Sequence, residues 1–206
     1  MSLPILQTKL YVPRHQRQKN VIRRPRLTEK LTAGLEGRVT LISAPAGFGK
    51  STLLSEWITG RQVPTESGAG TSPIAGEAPL LSPTHITWLT LDSDDNDPTR
   101  FLTYLIASLQ KFGKEVGDVA WTLLQSPQPP AAKTILTILL NDLSLLVDED
   151  TQPRPFYVFI LEDYHVIAAQ PIHEMLTFLI DHLPPHLHVI ITTRRSNSAI
   201  CKVACA

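Results

Sequence analysis

The sequence predicts a three-layer α/β domain with a mostly parallel β-sheet. Four apolar runs of strand length are separated by segments in which apolar residues recur at helical spacing, an alternation typical of α/β proteins. The run over residues 156–161 is apolar throughout, as expected of a central parallel strand that is covered on both faces. A chain of 206 residues, 43% of them hydrophobic, is long enough to form one such domain with a real core.

The elements follow in order from the spacing of apolar residues and from the positions of proline and glycine. Residues 1–26 lack clear periodicity and are rich in Arg and Pro, so we expect them to run extended across the surface. Residues 61–84 are rich in Gly, Pro, Ser, Thr and Ala, which predicts a flexible insertion. The predicted helices cover residues 27–35, 53–58, 98–109, 136–147 and 172–183, and the predicted strands cover residues 39–42, 86–91, 156–161 and 189–191.

A glycine-rich turn between the first predicted strand and the next helix indicates phosphate binding. Gly47 and Gly49 let the backbone bend so that successive amides point inward, and the helix adds its N-terminal dipole to the same anion site. Lys50 would then reach the β- and γ-phosphates of a nucleotide, and the Ser51 hydroxyl would bind Mg²⁺. The candidate nucleotide-binding residues are Ala46, Gly47, Phe48, Gly49, Lys50, Ser51 and Thr52.

The turn departs from the usual phosphate-loop pattern at one position, because Ala44 stands where the pattern begins with Gly. The alternative interpretation is an ordinary strand-to-helix turn with a chance Gly-Lys-Ser sequence. We favour phosphate binding, since the flanking strand and helix, the lysine and the hydroxyl all agree with it.

Acidic residues also follow two of the later strands. After the second strand, four aspartates precede a helix; they would touch a metal or cap the helix, and we favour capping because acidic residues complement the helix dipole. These aspartates are Asp92, Asp94, Asp95 and Asp97.

Glu162 and Asp163 end the third predicted strand. Downstream of a phosphate loop, this pair predicts one carboxylate in the Mg²⁺ shell, Glu162, and one that orients or polarises the attacking water, Asp163. The alternative is that these acids simply end the strand. Arg194 follows the fourth strand at the same edge of the sheet, where a guanidinium is suited to sensing a γ-phosphate.

The charge of the chain does not indicate a nucleic-acid-binding protein. Lys plus Arg and Asp plus Glu both number 19, although nine basic residues lie between Lys9 and Arg38. This basic arm either binds a polyanion or is a solvated segment beside a nucleotide pocket. We favour the second interpretation, because Tyr11 is the one aromatic residue there that could stack on bases.

The apolar segments and the cysteines bear on where the protein is located. No apolar run approaches the roughly 18 residues of a membrane span, and the N-terminus has no apolar signal-like region, so we expect a cytoplasmic chain without a membrane partner. Cys201 and Cys205 lie near the end of the sequence and are interpreted as free thiols.

The order and spacing of these motifs resemble the nucleotide-binding domain of the large ATP-dependent LuxR-type transcriptional activators, the MalT-like branch of the STAND NTPases. No single motif decides the resemblance, which extends over most of the chain up to Arg195. The matching segments are residues 8–13, 24–27, 43–52, 88–92, 95–98, 100–101, 162–165 and 192–194.

The resemblance implies a signal-transduction ATPase that acts as a switch. ADP would hold a closed resting form, and ATP with an inducer would permit an open, self-associating form. The implied cofactors are ATP or ADP with Mg²⁺, and the implied fold is an ASCE/STAND-type P-loop NTPase with strand order 2-3-4-1. The N-terminal basic and apolar segment is implied to help enclose the nucleotide. Because the family usually has Asp where this chain has Glu162, we expect Mg²⁺ binding with slow ATPase activity at most.

Beyond Arg195 the sequence departs from the family pattern, in which a further strand, a winged-helix region, a helical-repeat sensor and a DNA-binding helix-turn-helix follow. Our interpretation is a C-terminally truncated product of a frameshift or premature stop, which the coding DNA tests. The expected organisation is an arm with a short helix over residues 1–36, an NTPase core over 37–195 and an aberrant tail over 196–206. An exposed edge at the first strand then predicts marginal stability and association with itself or with full-length relatives.

Three functions are compatible with these features. The first is an ATP-binding regulatory module, without direct DNA binding by this chain. The second is a non-enzymatic interaction fragment that binds nucleotide poorly and associates with full-length relatives; calorimetry with ATP and ADP separates it from the first. The third and weakest is a small P-loop kinase, which requires an acceptor pocket and a mobile basic lid that the sequence does not indicate.

Overall fold

The computed structural model describes residues 4–13, 24–61, 84–147 and 155–194, and within them the chain forms one sheet of four parallel strands. The strands in chain order are β1 (Val39–Ser43), β2 (Thr84–Thr90), β3 (Phe156–Glu162) and β4 (Leu187–Thr193). Across the sheet their order is β1-β4-β3-β2. This is the expected order 2-3-4-1 read from the opposite edge. The predicted α/β class with a parallel sheet is therefore confirmed, and it is consistent with a P-loop NTPase fold.

Helices cover both faces of this sheet. In the described residues they are α1 (Pro25–Gly34), α2 (Lys50–Arg61), α3 (Pro98–Leu109), α4 (Asp118–Leu124), α5 (Ala132–Ser144) and α6 (Gln170–Asp181). Successive strand residues point to opposite faces, so Val158 and Ile160 pack with α1 and α2, whereas Phe159 and Leu161 pack with α3 to α6. The result is the three-layer arrangement that the sequence predicts.

The burial of each strand follows from its place in the sheet. β3 lies between β2 and β4, and its residues are buried from its second position to its last. The seven residues of β4 are buried as well. β1 lies at an edge of the described sheet, and its residues are only half-buried or exposed. The continuous apolar run of β3 is thus explained by cover on both of its faces.

A short helix, α4, was not predicted from the sequence. It has seven residues, too few for apolar periodicity to be recognisable, and it begins directly after Gly117. Gly117 has φ +78°, and a Cβ atom there would lie 2.8 Å from a methyl carbon of Ile106. Glycine is therefore required at this position both by the backbone angle and by the close approach of α3.

The N-terminal segment is not extended on the surface as expected over residues 4–13. Gln7–Leu10 forms one 3₁₀ turn, and Leu10 is buried within the core that α3 to α6 share. The Leu6 amide donates to the Tyr104 hydroxyl at 3.2 Å, and the Lys111 ammonium donates to the Leu10 carbonyl. These contacts fasten the segment to α3 and to the turn that follows it.

The capping interpretation of the acidic cluster after β2 is confirmed for three of its members. Asp92 accepts a hydrogen bond from the Asp94 amide at 3.0 Å and caps the 3₁₀ turn Ser93–Asn96. Asp97 caps α3 by accepting from the Arg100 amide at 2.7 Å. Both contacts satisfy backbone N–H groups that the helices themselves leave unpaired.

The third aspartate, Asp95, completes the capping box of the 3₁₀ turn by accepting from the Asp92 amide at 2.8 Å, and it also forms a buried ion-pair network. Its fully buried carboxylate accepts hydrogen bonds from the Lys9 ammonium and, at 3.2 Å, from the Arg100 side chain. Lys9 also contacts Asp92 at 3.0 Å and lies 4.4 Å from the centre of the Tyr104 ring. Lys9 therefore does not fit the expected basic arm, because it is neither solvated nor available to a polyanion.

His188 forms a second buried polar contact, between the start of β4 and the chain around β1. Its Nδ1 atom lies 2.7 Å from the Gly37 carbonyl, and its Nε2 atom lies 2.9 Å from the Thr40 hydroxyl. Burial lowers the pKa of His188 below its ordinary value, and the hydrogen bond with Gly37 opposes this effect. The folded state therefore disfavours protonation of this imidazole relative to the unfolded chain.

Several predictions fall outside the part of the chain that the structure describes. They are the insertion over residues 61–84 apart from its first and last residues, the arm residues 14–23, the tail over 196–206, and Cys201 with Cys205. Among the helices that are described, none combines the length and the apolar character needed to cross a membrane.

Replacing Asp95 is expected to destabilise the fold. Asp95→Asn leaves the buried Lys9 ammonium without its main counter-charge, so we expect the free energy of unfolding to fall by about 3–5 kcal/mol. Asp94→Asn, at a side chain that is 71% exposed, is the matched control and should change it by less than about 0.5 kcal/mol. Urea denaturation followed by circular dichroism measures both. Equal effects of the two substitutions would contradict the importance of the buried pair.

Acidification is expected to destabilise the protein partly through His188. Between about pH 7.5 and about pH 5.5 the unfolded chain binds a proton at this residue more readily than the folded chain, so stability falls as pH falls. His188→Asn keeps an amide N–H for the Gly37 carbonyl and should lose less stability over this range. His165 and His173, whose pKa values burial also lowers, leave part of the dependence in place.

The control for this pH series is His182→Asn, because His182 is exposed. Denaturation curves at the two pH values should show the wild-type loss of stability in His182→Asn and a smaller loss in His188→Asn. A wild-type loss in both variants would show that His188 does not contribute.

Candidate functional site

The glycine-rich loop joins the carboxyl end of β1 to the amino end of α2 and is exposed over residues 45–48. Gly47 and Gly49 have φ +80° and +77°, a region that other residues rarely adopt. A Cβ atom at Gly47 would meet nothing within 4 Å, so the backbone angle, not crowding, requires glycine there. The loop therefore leads into a helix N-terminus with the bent backbone that anion binding needs.

Lys50 is the first residue of α2, and its side chain folds back over the loop. The ammonium lies 2.7 Å from the Ala44 carbonyl and 3.2 Å from the Pro45 carbonyl. Ala44, the residue that departs from the usual pattern, thus supplies a backbone acceptor, which any residue can do. These contacts hold the positive charge at the mouth of the loop, where an anion would enter.

The other candidate loop residues take different positions. Phe48 is 62% exposed, and its carbonyl accepts a hydrogen bond from the Arg24 side chain at 3.2 Å. Ala46 is exposed on the loop, and Thr52 is half-buried in the first turn of α2. The contact of Arg24 brings one residue of the predicted basic arm directly to the loop.

The two predicted metal-binding residues meet in the structure. Ser51, in the first turn of α2, donates a hydrogen bond to Oε1 of Glu162 at the end of β3. Oε2 of Glu162 accepts from the Trp88 indole N–H at 3.1 Å and from the Thr90 hydroxyl at 3.0 Å. Trp88 and Thr90 lie in a segment that matches the family, but sequence reasoning gave them no role at the site. One signal was available: the two residues are two positions apart, so they share a face at the end of the strand that was predicted to lie beside the strand ending in Glu162.

Asp163 follows Glu162 and turns the chain sharply. Its φ of 58° and ψ of 36° are left-handed, and it is the one non-glycine residue with positive φ in the described ranges. Its amide donates to the Thr192 hydroxyl on β4 at 3.0 Å, which ties the ends of β3 and β4 together. The Asp163 carboxylate is partly exposed and lies 3.6 Å from Nδ1 of His165.

His165 is a third residue to which sequence reasoning gave no role. Its buried Nδ1 atom makes no hydrogen bond within the part of the chain that is described. Burial lowers the pKa of His165, Asp163 raises it, and the positive charges of Arg194 and Lys50 lower it further. His165 therefore lies within electrostatic range of both the glycine loop and the end of β4.

Arg194 follows β4 directly and is exposed. The parallel sheet places it at the same edge as the loop, and its charge acts on His165. Its role as a γ-phosphate sensor remains a prediction.

The loop after β3 is held by Asn96, to which sequence reasoning also gave no role. The Asn96 side-chain oxygen accepts hydrogen bonds from the amides of Ala168 at 2.7 Å and Ala169 at 3.0 Å. Its amide nitrogen donates to the Val166 carbonyl at 2.9 Å. Asn96 thus connects the capped turn after β2 to the loop that carries Asp163.

The oxygen atoms at this edge are of a kind that could coordinate a magnesium ion. Across residues 4–13, 24–61, 84–147 and 155–194, no three or more His, Cys, Asp or Glu side chains are grouped to hold a metal ion. Ser51 and Glu162 offer hard oxygen atoms, and Mg²⁺ usually takes one or two carboxylates together with waters and substrate phosphates. The residues therefore suit a metal whose remaining ligands come from phosphate and water.

Comparison with known proteins finds relatives that align with most of this chain. No family model matches it. Over 178 residues it is 30% identical to the HTH-type transcriptional regulator MalT of Cronobacter sakazakii (strain ATCC BAA-894), covering 86% of this chain and 16% of that protein. Identity and coverage are the same for the MalT regulators of Serratia proteamaculans (strain 568) and Yersinia pestis (strain Pestoides F).

These alignments cover most of this chain but a small part of each relative, since the chain spans 16% of the length of the curated regulators that it matches. The family resemblance drawn from the motifs is confirmed by this similarity. The chain is therefore a relative of one part of these longer MalT regulators.

Proposed function

We propose that this chain is the ATP-binding signal-transduction module of a MalT-like transcriptional regulator. The observation that carries the proposal is the hydrogen bond from Ser51 to Glu162. It joins the first turn after the glycine loop to the acidic end of β3. A phosphate loop, a hydroxyl and a carboxylate at one sheet edge are the parts that a Mg²⁺-nucleotide site needs.

In this proposal the loop holds the phosphates of ATP or ADP. The amides from Ala46 to Thr52 and the positive end of the α2 dipole attract the anion, with Gly47 and Gly49 supplying the bent backbone. The Lys50 ammonium exchanges its carbonyl acceptors for phosphate oxygens. Ser51 and Glu162 hold Mg²⁺, which would neutralise phosphate charge when bound.

Turnover in the proposed module is slow at most. Asp163, the residue after Glu162, is assigned to orient the attacking water, and its partly exposed carboxylate supports this assignment. Arg194, exposed at the end of β4, is assigned as the sensor of the γ-phosphate. Slow hydrolysis would suit a switch, because the bound nucleotide then defines the state for a long time.

The regulatory context is proposed from the relatives, which are named as HTH-type transcriptional regulators. We assign nucleotide binding to this chain and DNA recognition to other parts of such regulators. Self-association, or association with full-length relatives, is the proposed partner interaction, and the proposed location is the cytoplasm.

Lys50→Ala is expected to weaken ATP and ADP binding strongly. A charge-assisted hydrogen bond contributes about 1.5–3 kcal/mol, which corresponds to a Kd roughly 10- to 150-fold higher. Isothermal titration calorimetry with ATP and ADP measures the change, and thermal melting verifies that the variant is folded.

Lys114→Ala is the control, because Lys114 is an exposed lysine in the segment between α3 and α4. It removes the same charge and should bind nucleotide like wild type. An unchanged ATP affinity in folded Lys50→Ala would overturn the assignment of the loop.

A further inference from the structure

The carboxylate of Glu162 is held on one side by two donors from β2. Oε2 accepts from the Trp88 indole N–H and from the Thr90 hydroxyl, while Oε1 accepts from Ser51. The indole nitrogen also lies 2.9 Å from the Thr90 hydroxyl oxygen, so Trp88, Thr90 and Glu162 form a closed triangle. Trp88 is fully buried, and Glu162 is 6% exposed.

The register of the sheet brings these side chains together. Thr90 lies directly opposite Glu162 in the parallel pairing of β2 with β3, and Trp88 lies opposite Ile160. Residues two positions apart on a strand share a face, so the triangle lies on the face that Trp88 and Ile160 share with α2. Ser51 belongs to α2 and approaches Glu162 from the same side.

Packing alone does not account for Trp88. The ring fills the core between the sheet and α2, and a phenylalanine ring could fill much of the same volume. The indole N–H, however, donates to the one carboxylate whose other oxygen meets the serine of the glycine loop. The indole nitrogen of Trp88 therefore contacts the site, whereas the ring packs in the core.

The partners of Glu162 orient the carboxylate without cancelling its charge. The indole and the hydroxyls are neutral donors, in contrast to the two cations that pair with Asp95. A carboxylate has two oxygens that accept hydrogen bonds. With Oε2 held by Trp88 and Thr90, Oε1 faces Ser51, and the negative charge is directed to the loop side.

We propose that Trp88 and Thr90 are positioning residues that fix Glu162 and thereby set the affinity of the nucleotide site for Mg²⁺. The inference rests on the proposed function, because it concerns Mg²⁺ bound together with ATP or ADP. Groups that orient a metal ligand typically change metal affinity about 10- to 100-fold when they are removed. Trp88 and Thr90 thus compensate for the longer side chain of glutamate, since they limit the orientations of its carboxylate.

The binding experiment compares the Kd for ADP in EDTA with the Kd in excess Mg²⁺, by calorimetry. The Mg²⁺ ratio, defined as the Kd in EDTA divided by the Kd in Mg²⁺, reports the contribution of the metal alone. Trp88→Phe keeps the ring, and Thr90→Val keeps the shape of the side chain. In both we expect an unchanged Kd in EDTA and a Mg²⁺ ratio about 10- to 100-fold smaller than in wild type. Thr90→Ser restores the hydroxyl and should restore the ratio.

Trp57→Phe is the matched control. Trp57 lies on α2 and is buried in the same core cluster as Trp88, but its indole N–H donates to the Thr32 hydroxyl of α1 at 3.2 Å. This substitution should leave the Mg²⁺ ratio at the wild-type value. A reduced ratio in Trp57→Phe equal to that in Trp88→Phe would assign the effect to packing and overturn the proposal.

A spectroscopic measurement on the wild-type chain does not depend on how well the Trp88 variant folds. The chain has three tryptophans, and Trp57→Phe and Trp121→Phe assign the other two indole ¹H–¹⁵N signals by their loss. Adding Mg²⁺ to the ADP-bound protein in place of EDTA should shift the Trp88 indole signal more than the other two. An unmoved Trp88 signal in a protein that binds Mg²⁺ and ADP would overturn the proposal.

The outcomes separate this inference from the proposed function. Absence of ADP binding to the wild-type chain in both buffers would overturn the proposed function and this inference with it. Normal ADP binding with the same Mg²⁺ ratio in wild type, Trp88→Phe and Thr90→Val would leave the proposed function intact and overturn this inference alone.

Discussion

The hydrogen bond between Ser51 and Glu162 depends on a parallel sheet in which β1 and β3 end at the same edge. β4 lies between them and pairs with both, so it sets their relative height. A seven-residue strand is roughly 20 Å long, and an antiparallel β3 would therefore carry Glu162 to the far side of the domain. The strand directions, more than any single residue, create the site.

Two buried carboxylates in this protein are stabilised by different means. Asp95 is paired with Lys9 and Arg100, and this network holds the N-terminal segment on the core. Glu162 is held by an indole and by hydroxyl groups. The negative charge of a carboxylate that is paired with cations is neutralised within the fold, whereas a carboxylate held by neutral dipoles still attracts a cation. The first arrangement serves structure, and the second suits the nucleotide site that we propose.

The parts that the sequence predicted are those encoded locally. The strands, the main helices and the glycine loop each show in the spacing of neighbouring residues, and the sheet order followed from the family resemblance. The triangle around Glu162 was not predicted, because Trp88 and Glu162 are 74 positions apart and their contact depends on register. Lys9 was misinterpreted for the same reason: its partner Asp95 is 86 positions away, and a charge count in its own segment cannot reveal it.

That distance along the chain also constrains the order in which the protein folds. The segment over residues 4–13 is synthesised well before its partners Asp95, Tyr104 and Lys111. Closing so long a loop is slow compared with forming helices or neighbouring turns. The N-terminal segment therefore docks only after α3 has been made, and until then the apolar side chain of Leu10 lacks the core that buries it in the folded chain.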